Sequence, residues 1–217
     1  MRDKPLWNKS AERMPEVDLS ELECRVTIQR HLVGAPLDVN WMQCIRGTQM
    51  VTAEVIHHVP PESWDDEPKK RTIGRASALT VEMDRTPSAF ESLDHLAAGT
   101  SMLARMADDL VEQFEDDPFM EHTSQLVAIE DVRVSEAYRG QRIGPRLVAS
   151  LVEAVSGGST NSLVVLDIDR WIQTSEIEER RWAKKMKPVL ESMGFQHHAG
   201  HGYWRHTSLT GGESLWS

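Results

Sequence analysis

One stretch of the chain, residues 125–155, constrains the fold most because its periodicity changes at a turn rich in glycine and arginine. From Gln125 to Val134, apolar residues recur at about every second position, which predicts a β-strand. After the turn Arg139–Gly144, apolar residues recur at helical spacing up to Val155, which predicts an α-helix. Backbone N–H groups at a helix start have no intrahelical partner and lie at the positive end of the helix dipole. The stretch is therefore suited to binding an anion of phosphate size.

This turn resembles the signature of the GNAT superfamily of N-acetyltransferases, which reads Arg or Gln, two residues, Gly, one residue, then Gly or Ala. The turn itself reads Arg139-Gly140-Gln141-Arg142-Ile143-Gly144. Pro145, in the first helical turn where a missing N–H costs nothing, and Met193-Gly194-Phe195 after a later helix add to the resemblance. The alternatives are a surface loop that caps an ordinary helix and a phosphate-binding module of another fold.

The resemblance implies that the turn amides wrap the pyrophosphate of acetyl-CoA and that the preceding strand pairs with its pantetheine arm. The implied cofactor-binding residues are Val132, Arg133, Val134, Arg139, Gly140, Gln141, Arg142, Ile143, Gly144 and Pro145. One position departs from the signature, because Arg142 stands where the family has its first obligatory Gly. We expect Arg142 to have a negative φ, so that its N–H faces the phosphate while its guanidinium adds a nearby cation.

The length and composition of the chain limit its domain organisation and the kinds of partner it can have. A chain of 217 residues can fold as one domain with a sizeable core. Its formal charge of −10 argues against a nucleic-acid partner and favours a basic acceptor. Two cysteines, a polar N-terminus and the lack of a long apolar run predict a cytoplasmic protein without a membrane span. A homodimer is left open.

The remaining elements follow from periodicity and turn residues. We expect an N-terminal arm over residues 1–18, one domain over 19–208 and a flexible tail over 209–217. Strands are predicted over 22–33, 50–56, 73–83, 125–134 and 163–168, followed by a terminal hairpin. A helical stretch over 88–115 begins with a Ser88/Glu91 capping box, and another helix is capped by Ser175. Gly74 suits a bulge or a close backbone approach.

Together, these elements predict an α/β (α+β) fold. The sheet is expected to be mixed and mostly antiparallel, with six or seven strands and helices on both faces. The fifth strand should run parallel to the fourth through a right-handed crossover.

Acetyl transfer to an amine requires a base for the amine proton and a donor for the developing oxyanion. By resemblance, Glu130 on the fourth strand is the candidate base, with Asp131 in reserve. Strand alternation predicts that Glu130 shares a face with Val132 and Val134, whereas Asp131 shares the other face with Arg133. Partial burial would raise the pKa of Glu130, which suits a base. The alternative is a strand-end glutamate paired with a nearby Lys or Arg.

The sequence supplies only some of the other catalytic groups that the resemblance implies. The oxyanion donor implied by the resemblance is the backbone N–H of Val134. The family's usual general acid, a Tyr four residues before the Gly that closes the fourth helix, is Leu190 here. Of the two tyrosines, Tyr138 lies in the turn, and Tyr203 in the terminal hairpin is the candidate catalytic residue. Water can also protonate the thiolate of coenzyme A.

The resemblance therefore predicts an acetyl-CoA-dependent N-acetyltransferase that acts on a primary amine of a small molecule or protein by direct attack on the thioester. The alternative is a non-catalytic coenzyme-A-binding regulator, which the missing Tyr favours. No metal is expected, because the spacing of the histidines and of the two cysteines fits no standard zinc pattern. The histidines considered are His57, His58, His197, His198, His201 and His206. A histidine-lined acceptor pocket and a plain surface hairpin are the other interpretations.

Overall fold

The computed structural model describes residues 17–30, 48–60, 69–83, 101–114, 116, 123–156, 161–166, 176–198 and 202–207. The arm before Val17, the helical stretch before Ser101 with its capping box, the Ser175 cap and the tail after Thr207 lie outside these residues. Val17 itself is half-buried and packs against the core. The packed part of the chain therefore begins no later than Val17, within the predicted arm.

A seven-stranded sheet forms the centre of the fold. Its strands are β1 (Leu22–Arg30), β2 (Thr48–Val59), β3 (Lys69–Glu82), β4 (Gln125–Val134), β5 (Ser162–Leu166), β6 (Gln196–His198) and β7 (Gly202–His206). Their order across the sheet is β1-β2-β3-β4-β5-β7-β6. β4 and β5 are parallel, and every other neighbouring pair is antiparallel. The predicted mixed, mostly antiparallel sheet is therefore confirmed.

Helices cover both faces of the sheet, as predicted. Their bounds are α1 (Ser101–Gln113), α2 (Ile143–Ser156) and α3 (Glu176–Ser192). α1 buries Leu103, Met106 and Leu110 against one face, where they meet alternate residues of β3, β4 and β5. α2 and the end of α3 pack with the opposite face, which Val51, Ile129 and Leu166 line. None of the described helices is long and apolar enough to cross a membrane.

The observed strand boundaries follow the apolar pattern of the sequence, except where polar residues extend a strand. β4 has the predicted bounds. β3 begins at Lys69 rather than Ile73, because the exposed residues Lys69–Thr72 pair with the end of β2 although they show no apolar alternation. That boundary prediction was wrong.

The helix α3 ends directly before Met193-Gly194-Phe195, the tripeptide that the sequence places after a helix. Gly194 has φ 80°, and the Phe195 N–H donates to the Leu190 carbonyl at 3.0 Å. The Gly194 N–H donates to the Glu191 carbonyl at 3.0 Å, which completes a Schellman motif. Arg205 Nη1 of β7 donates to the Met193 carbonyl at 2.8 Å, and burial lowers the pKa of this arginine. The terminal hairpin is thus fastened to the end of α3.

Gly74 allows α2 to approach the sheet closely. A Cβ on Gly74 would lie 2.9 Å from Leu147 Cδ1 and 3.1 Å from Ile143 Cγ2, both on α2. Next to it, Ile73 is the extra residue of a β-bulge, because Val55 pairs with Gly74 whereas Ile56 pairs with Thr72. The predictions of a bulge and of a close approach are both confirmed.

Candidate functional site

The turn between β4 and α2 is built from one short helical turn and a chain reversal. A 3-10 helix, Glu136–Tyr138, follows β4, and the Arg139 N–H donates to the Glu136 carbonyl at 3.2 Å. Arg139 is extended, with φ −66° and ψ 146°, and Gly140 has φ 86°. Arg139 Nε also donates to the Val134 carbonyl at 3.3 Å, which ties the turn to the end of β4.

The start of α2 directs backbone donors out of the helix. The helix begins at Ile143, and the Arg146 N–H donates to the Arg142 carbonyl at 3.3 Å. The N–H groups of Ile143 and Gly144 precede this bond, so they have no intrahelical acceptor. Pro145, the next residue, carries no N–H, as the sequence analysis required of a first-turn proline. Two donors therefore lie at the positive end of the helix dipole.

Gly144 faces the end of β4. A Cβ on this residue would lie 3.7 Å from Val134 Cγ2 and 3.9 Å from Val132 Cγ1, which are ordinary contact distances. Val132 and Val134 are half-buried and pack against the core beneath α2. The donors at the helix start thus lie beside the last residues of β4.

Arg142 adopts the backbone conformation of a glycine. Its φ is 58°, so the expectation of a negative φ was wrong. The chain has to turn from the extended Arg139 into α2 within a few residues, and both Gly140 and Arg142 do so with positive φ. A residue with a Cβ pays roughly 1–2 kcal/mol in the left-handed region, a cost that Gly avoids. The position therefore has a backbone conformation that favours Gly, although its residue is Arg.

Three arginines surround the helix start, and no described carboxylate pairs with them. Arg139 and Arg142 are exposed, and Arg146 is half-buried on the first turn of α2. No acidic residue occurs in the sequence between Glu136 and Glu153. A chain with a formal charge of −10 thus concentrates positive charge at this one helix start.

The edge of β4 beside this turn is open beyond Ile129, as far as the described residues extend. β5 pairs with β4 only from Gln125 to Ile129. The Ser135 N–H donates to the Ile73 carbonyl of β3 at 2.8 Å. Consecutive strand residues direct their N–H groups to opposite edges, so the N–H and C=O of Val134 face the open edge. The bond from Arg139 to the Val134 carbonyl agrees with this direction.

Glu130 is the extra residue of a bulge in β4. Ser77 pairs with Asp131, whereas the adjacent Ala78 pairs with Ile129. Ile129 and Val132 both pack on the α2 side of the sheet, so the two residues between them lie on the side away from α2. The prediction that Glu130 shares a face with Val132 and Val134 was therefore wrong, because the bulge shifts the alternation by one residue.

Asp131 and Arg133 do share a face, as predicted. Arg133 Nε lies 2.6 Å from Asp131 Oδ2 in a partly exposed ion pair. The guanidinium occupies that carboxylate oxygen, so it is not open to an acceptor ammonium. The pairing considered as an alternative for Glu130 thus occurs at its neighbour.

Tyr203 lies near the point where β4 and β5 part. It pairs with Leu166 of β5, and Leu166 pairs with Ile129, the last β4 residue with a β5 partner in the part of the chain that the structure describes. Its buried side chain belongs to the core beneath α2, together with Leu190. The His197 ring packs edge-on against it, with ring centroids 5.1 Å apart.

Tyr138 is buried and bonded elsewhere, which argues against a role as proton donor. Its hydroxyl lies 3.1 Å from His57 Nδ1, and His57 Nε2 lies 3.2 Å from Glu21 Oε2. Sequence reasoning missed this network and treated His57 only as a possible metal ligand. The signal was present, because His57 continues the period-two pattern of Val51, Ala53 and Val55.

The described histidines are dispersed. His57 contacts Tyr138, and His206 Nε2 lies 3.1 Å from Thr123 Oγ1. Among the described residues, no group of three or more His, Cys, Asp or Glu side chains is arranged to hold a metal ion. Cys44 and His201 lie outside the described residues.

The positive φ of Arg142 leads to a prediction about the free energy of unfolding. Arg142→Gly and Arg142→Ala remove the same guanidinium, but only Gly adopts a positive φ without steric cost. We expect Arg142→Gly to have a free energy of unfolding about 1 kcal/mol above that of Arg142→Ala, measured by urea denaturation. Equal stabilities would mean that the left-handed conformation carries no cost at this position.

Comparisons with known proteins yield distant likenesses among solved structures alone. No protein-family model and no curated protein matches the sequence. Among solved structures, the chain is similar to Arabidopsis thaliana NAA60 in complex with acetyl-CoA, at 14% sequence identity and a TM-score of 0.41. The match covers 84% of this chain and 94% of that chain. A likeness this distant carries no argument about ligand or substrate.

Proposed function

We propose that the chain is an acetyl-CoA-dependent N-acetyltransferase that moves an acetyl group to a primary amine. The observation that carries the proposal is the turn Arg139–Gly144, which lies beside the edge of β4 where pairing with β5 ends. A coenzyme A thioester has a pyrophosphate at one end of an extended arm that contains amide groups. It therefore requires an anion site next to a strand edge that offers backbone hydrogen bonds.

The turn supplies the anion site. The N–H groups of Ile143 and Gly144 donate to phosphate oxygens in this proposal, at the positive end of α2. Arg139, Arg142 and Arg146 add cations that no described carboxylate neutralises. Gly144 leaves the space between the helix start and β4 free of a side chain. These groups bind and orient the anion without taking part in the chemistry.

The open edge of β4 binds the arm. The N–H and C=O of Val134 face this edge, so an extended amide chain can pair with it as an added strand would. The backbone of Val132, two residues earlier, faces the same edge, whereas the N–H and C=O of Arg133 face β3 and do not bind the arm. The Val134 N–H also stabilises the negative charge that develops on the thioester oxygen during attack.

Glu130 takes the proton from the acceptor ammonium. It lies at the residue where β5 stops pairing with β4, and the bulge turns it to the side of the sheet away from α2. The amine therefore approaches from the side opposite the arginines. Asp131 stands on the same side as the reserve base, but Arg133 holds one of its oxygens. The neutral amine then attacks the thioester carbon, the C–S bond breaks so that coenzyme A leaves as the thiolate, and the new amide nitrogen loses its extra proton to water.

Tyr203 donates a proton to this thiolate. It lies on the core side of the sheet, in the same core cluster as Leu190, which is the position where the resemblance places a tyrosine, and at the level where β4 and β5 part. A phenol from β7 thus replaces the one absent from α3.

A regulator that binds coenzyme A without turnover is the second candidate function. The observation that favours it is Leu190, which is apolar and fully buried at the end of α3 and offers no proton. Thiol release from acetyl-CoA in the presence of a panel of primary amines separates the two functions. An enzyme releases thiol with at least one amine, whereas a regulator binds the cofactor and releases none.

The first prediction concerns the anion site. Gly144→Asp places a negative charge between the helix start and β4, so the Kd for acetyl-CoA should rise at least about tenfold in calorimetric titration. Gly144→Asn, which has nearly the same shape without the charge, is the matched control and should lose less. Unchanged affinity in a folded Gly144→Asp variant would contradict the assignment of the turn.

The second prediction concerns the base. Glu130→Gln should lower kcat by about 10²-fold at neutral pH and leave the acetyl-CoA Kd unchanged. The loss should shrink at high pH, where the acceptor amine is already neutral. Asp131→Asn is the matched variant, because Asp131 lies on the same side of the sheet but pairs with Arg133. If Asp131→Asn alone loses activity across the pH range, then Asp131 is the base.

The third prediction concerns the leaving thiolate. Tyr203→Phe keeps the buried ring and its contact with His197 but removes the hydroxyl. We expect kcat to fall by at least about tenfold in a variant that still folds. A Tyr203→Phe variant with the full kcat would assign the protonation to water.

A further inference from the structure

A chain of hydrogen bonds through two buried side chains ends directly before the turn Arg139–Gly144, the cofactor turn of the proposed function. It runs from Glu21 Oε2 to His57 Nε2 at 3.2 Å and from His57 Nδ1 to the Tyr138 hydroxyl at 3.1 Å. His57 is 5% exposed and Tyr138 is 1% exposed. A carboxylate only accepts hydrogen bonds, so in neutral His57 the proton lies on Nε2, and Nδ1 accepts from the Tyr138 O–H.

The members of this chain come from three separate parts of the fold. Glu21 ends a 3-10 helix, Leu19–Glu21, His57 lies on β2, and Tyr138 ends the 3-10 helix directly before Arg139. Ser20 N–H donates to Asp18 Oδ1 at 2.9 Å, which caps the first of these helices and lowers the pKa of Asp18. Glu21 is therefore held at a defined position below the turn.

A second contact joins the same N-terminal segment to the turn. The Val17 N–H donates to Gln141 Oε1 at 3.1 Å. Residues 17–21 thus reach both sides of Arg139, through Tyr138 before it and Gln141 after it. Gly140, with φ 86°, lies between Tyr138 and Gln141, and Arg142, with φ 58°, directly follows Gln141. A non-glycine residue in this strained conformation persists only when its surroundings hold it.

We infer that Glu21, His57 and Tyr138 are positioning residues for the cofactor turn, an inference that rests on the proposed function. None of the three touches the acetyl-CoA pyrophosphate. Instead, they fix the start of the turn so that the N–H groups of Ile143 and Gly144 converge on one anion. Breaking the chain leaves a buried polar group without its hydrogen bond, and the turn relaxes away from the binding geometry.

The protein contains a matched control on the same two strands. His58 Nε2 lies 2.9 Å from Glu23 Oε2, another Glu–His pair between β1 and β2. The Glu23 side chain is 37% exposed, as that of Glu21 is, and hydrogen bonds from Arg25 and then from His58 lower its pKa. His58 directly follows His57 in sequence, yet the Glu23–His58 pair lies on the opposite side of the strands and away from Tyr138.

The test measures the acetyl-CoA Kd of the full chain by calorimetric titration and its kcat at saturating acetyl-CoA. Tyr138→Phe and His57→Phe should each raise Kd by about 3- to 10-fold, which is the cost of one hydrogen bond. The double variant should lose no more than the larger single loss, because both substitutions break the same contact. kcat should be unchanged in all three, and His58→Phe should bind as the parent does.

Glu21→Ala extends the test to the outer end of the chain, where the side chain is 37% exposed and the substitution leaves the core intact. It should raise Kd in the same direction. If the parent binds acetyl-CoA and all variants bind equally well, the inference is overturned while the proposed function stands. Additive losses, or a lower kcat with unchanged Kd, also overturn it. A parent that does not bind acetyl-CoA overturns the proposed function itself.

Discussion

The candidate site depends on how closely α2 approaches the sheet. A side chain on Gly74 of β3 would collide with Ile143 and Leu147, the residues that anchor the first turns of this helix. Protein interiors are close-packed, so even one added methyl group there would push the helix outward. Gly144 lies on the same helical turn as Ile143, and its backbone donors would move with it. A glycine in the middle of the sheet thus sets the distance between the helix start and the edge of β4.

That approach also accounts for the strain in the turn. The chain leaves β4 at Val134 and has to enter α2 with Ile143 already buried against Gly74. The few residues between these fixed ends reverse direction, and Arg142 takes a positive φ in doing so. The cost of roughly 1–2 kcal/mol is offset by packing at both ends, where Tyr138 and Ile143 are buried. The strain is therefore a consequence of where the helix has to begin.

The sequence predicted those parts of the fold and site that follow from local pattern. Strand alternation and a helical repeat lie on either side of the Arg139–Gly144 signature, and the structure contains the strand and the helix that these two patterns predict. The bulge at Glu130 was missed because an extra residue is a property of two paired strands, and the apolar pattern of one strand does not reveal it. The conformation of Arg142 followed the position in the turn rather than the residue type. The burial of His57 was readable from alternation, whereas its bond to Tyr138 joins residues far apart in sequence.

Three arginines lie on the α2 side of β4, whereas two carboxylates, one of them paired with Arg133, lie on the other side. Arg139, Arg142 and Arg146 lie at the α2 side, whereas the bulge turns Glu130 and Asp131 to the other side. In the proposed function, the pyrophosphate binds on one side of this strand, the acceptor ammonium approaches from the other side, and the reacting groups meet at its open edge. At 4 Å, a charge pair near a protein surface gains about 4 kcal/mol, against about 1 kcal/mol in bulk water. The cysteine among the described residues, Cys24, lies on β1, with β2 and β3 between it and β4. The proposed function therefore assigns the attack on the thioester to the amine itself and not to this thiol.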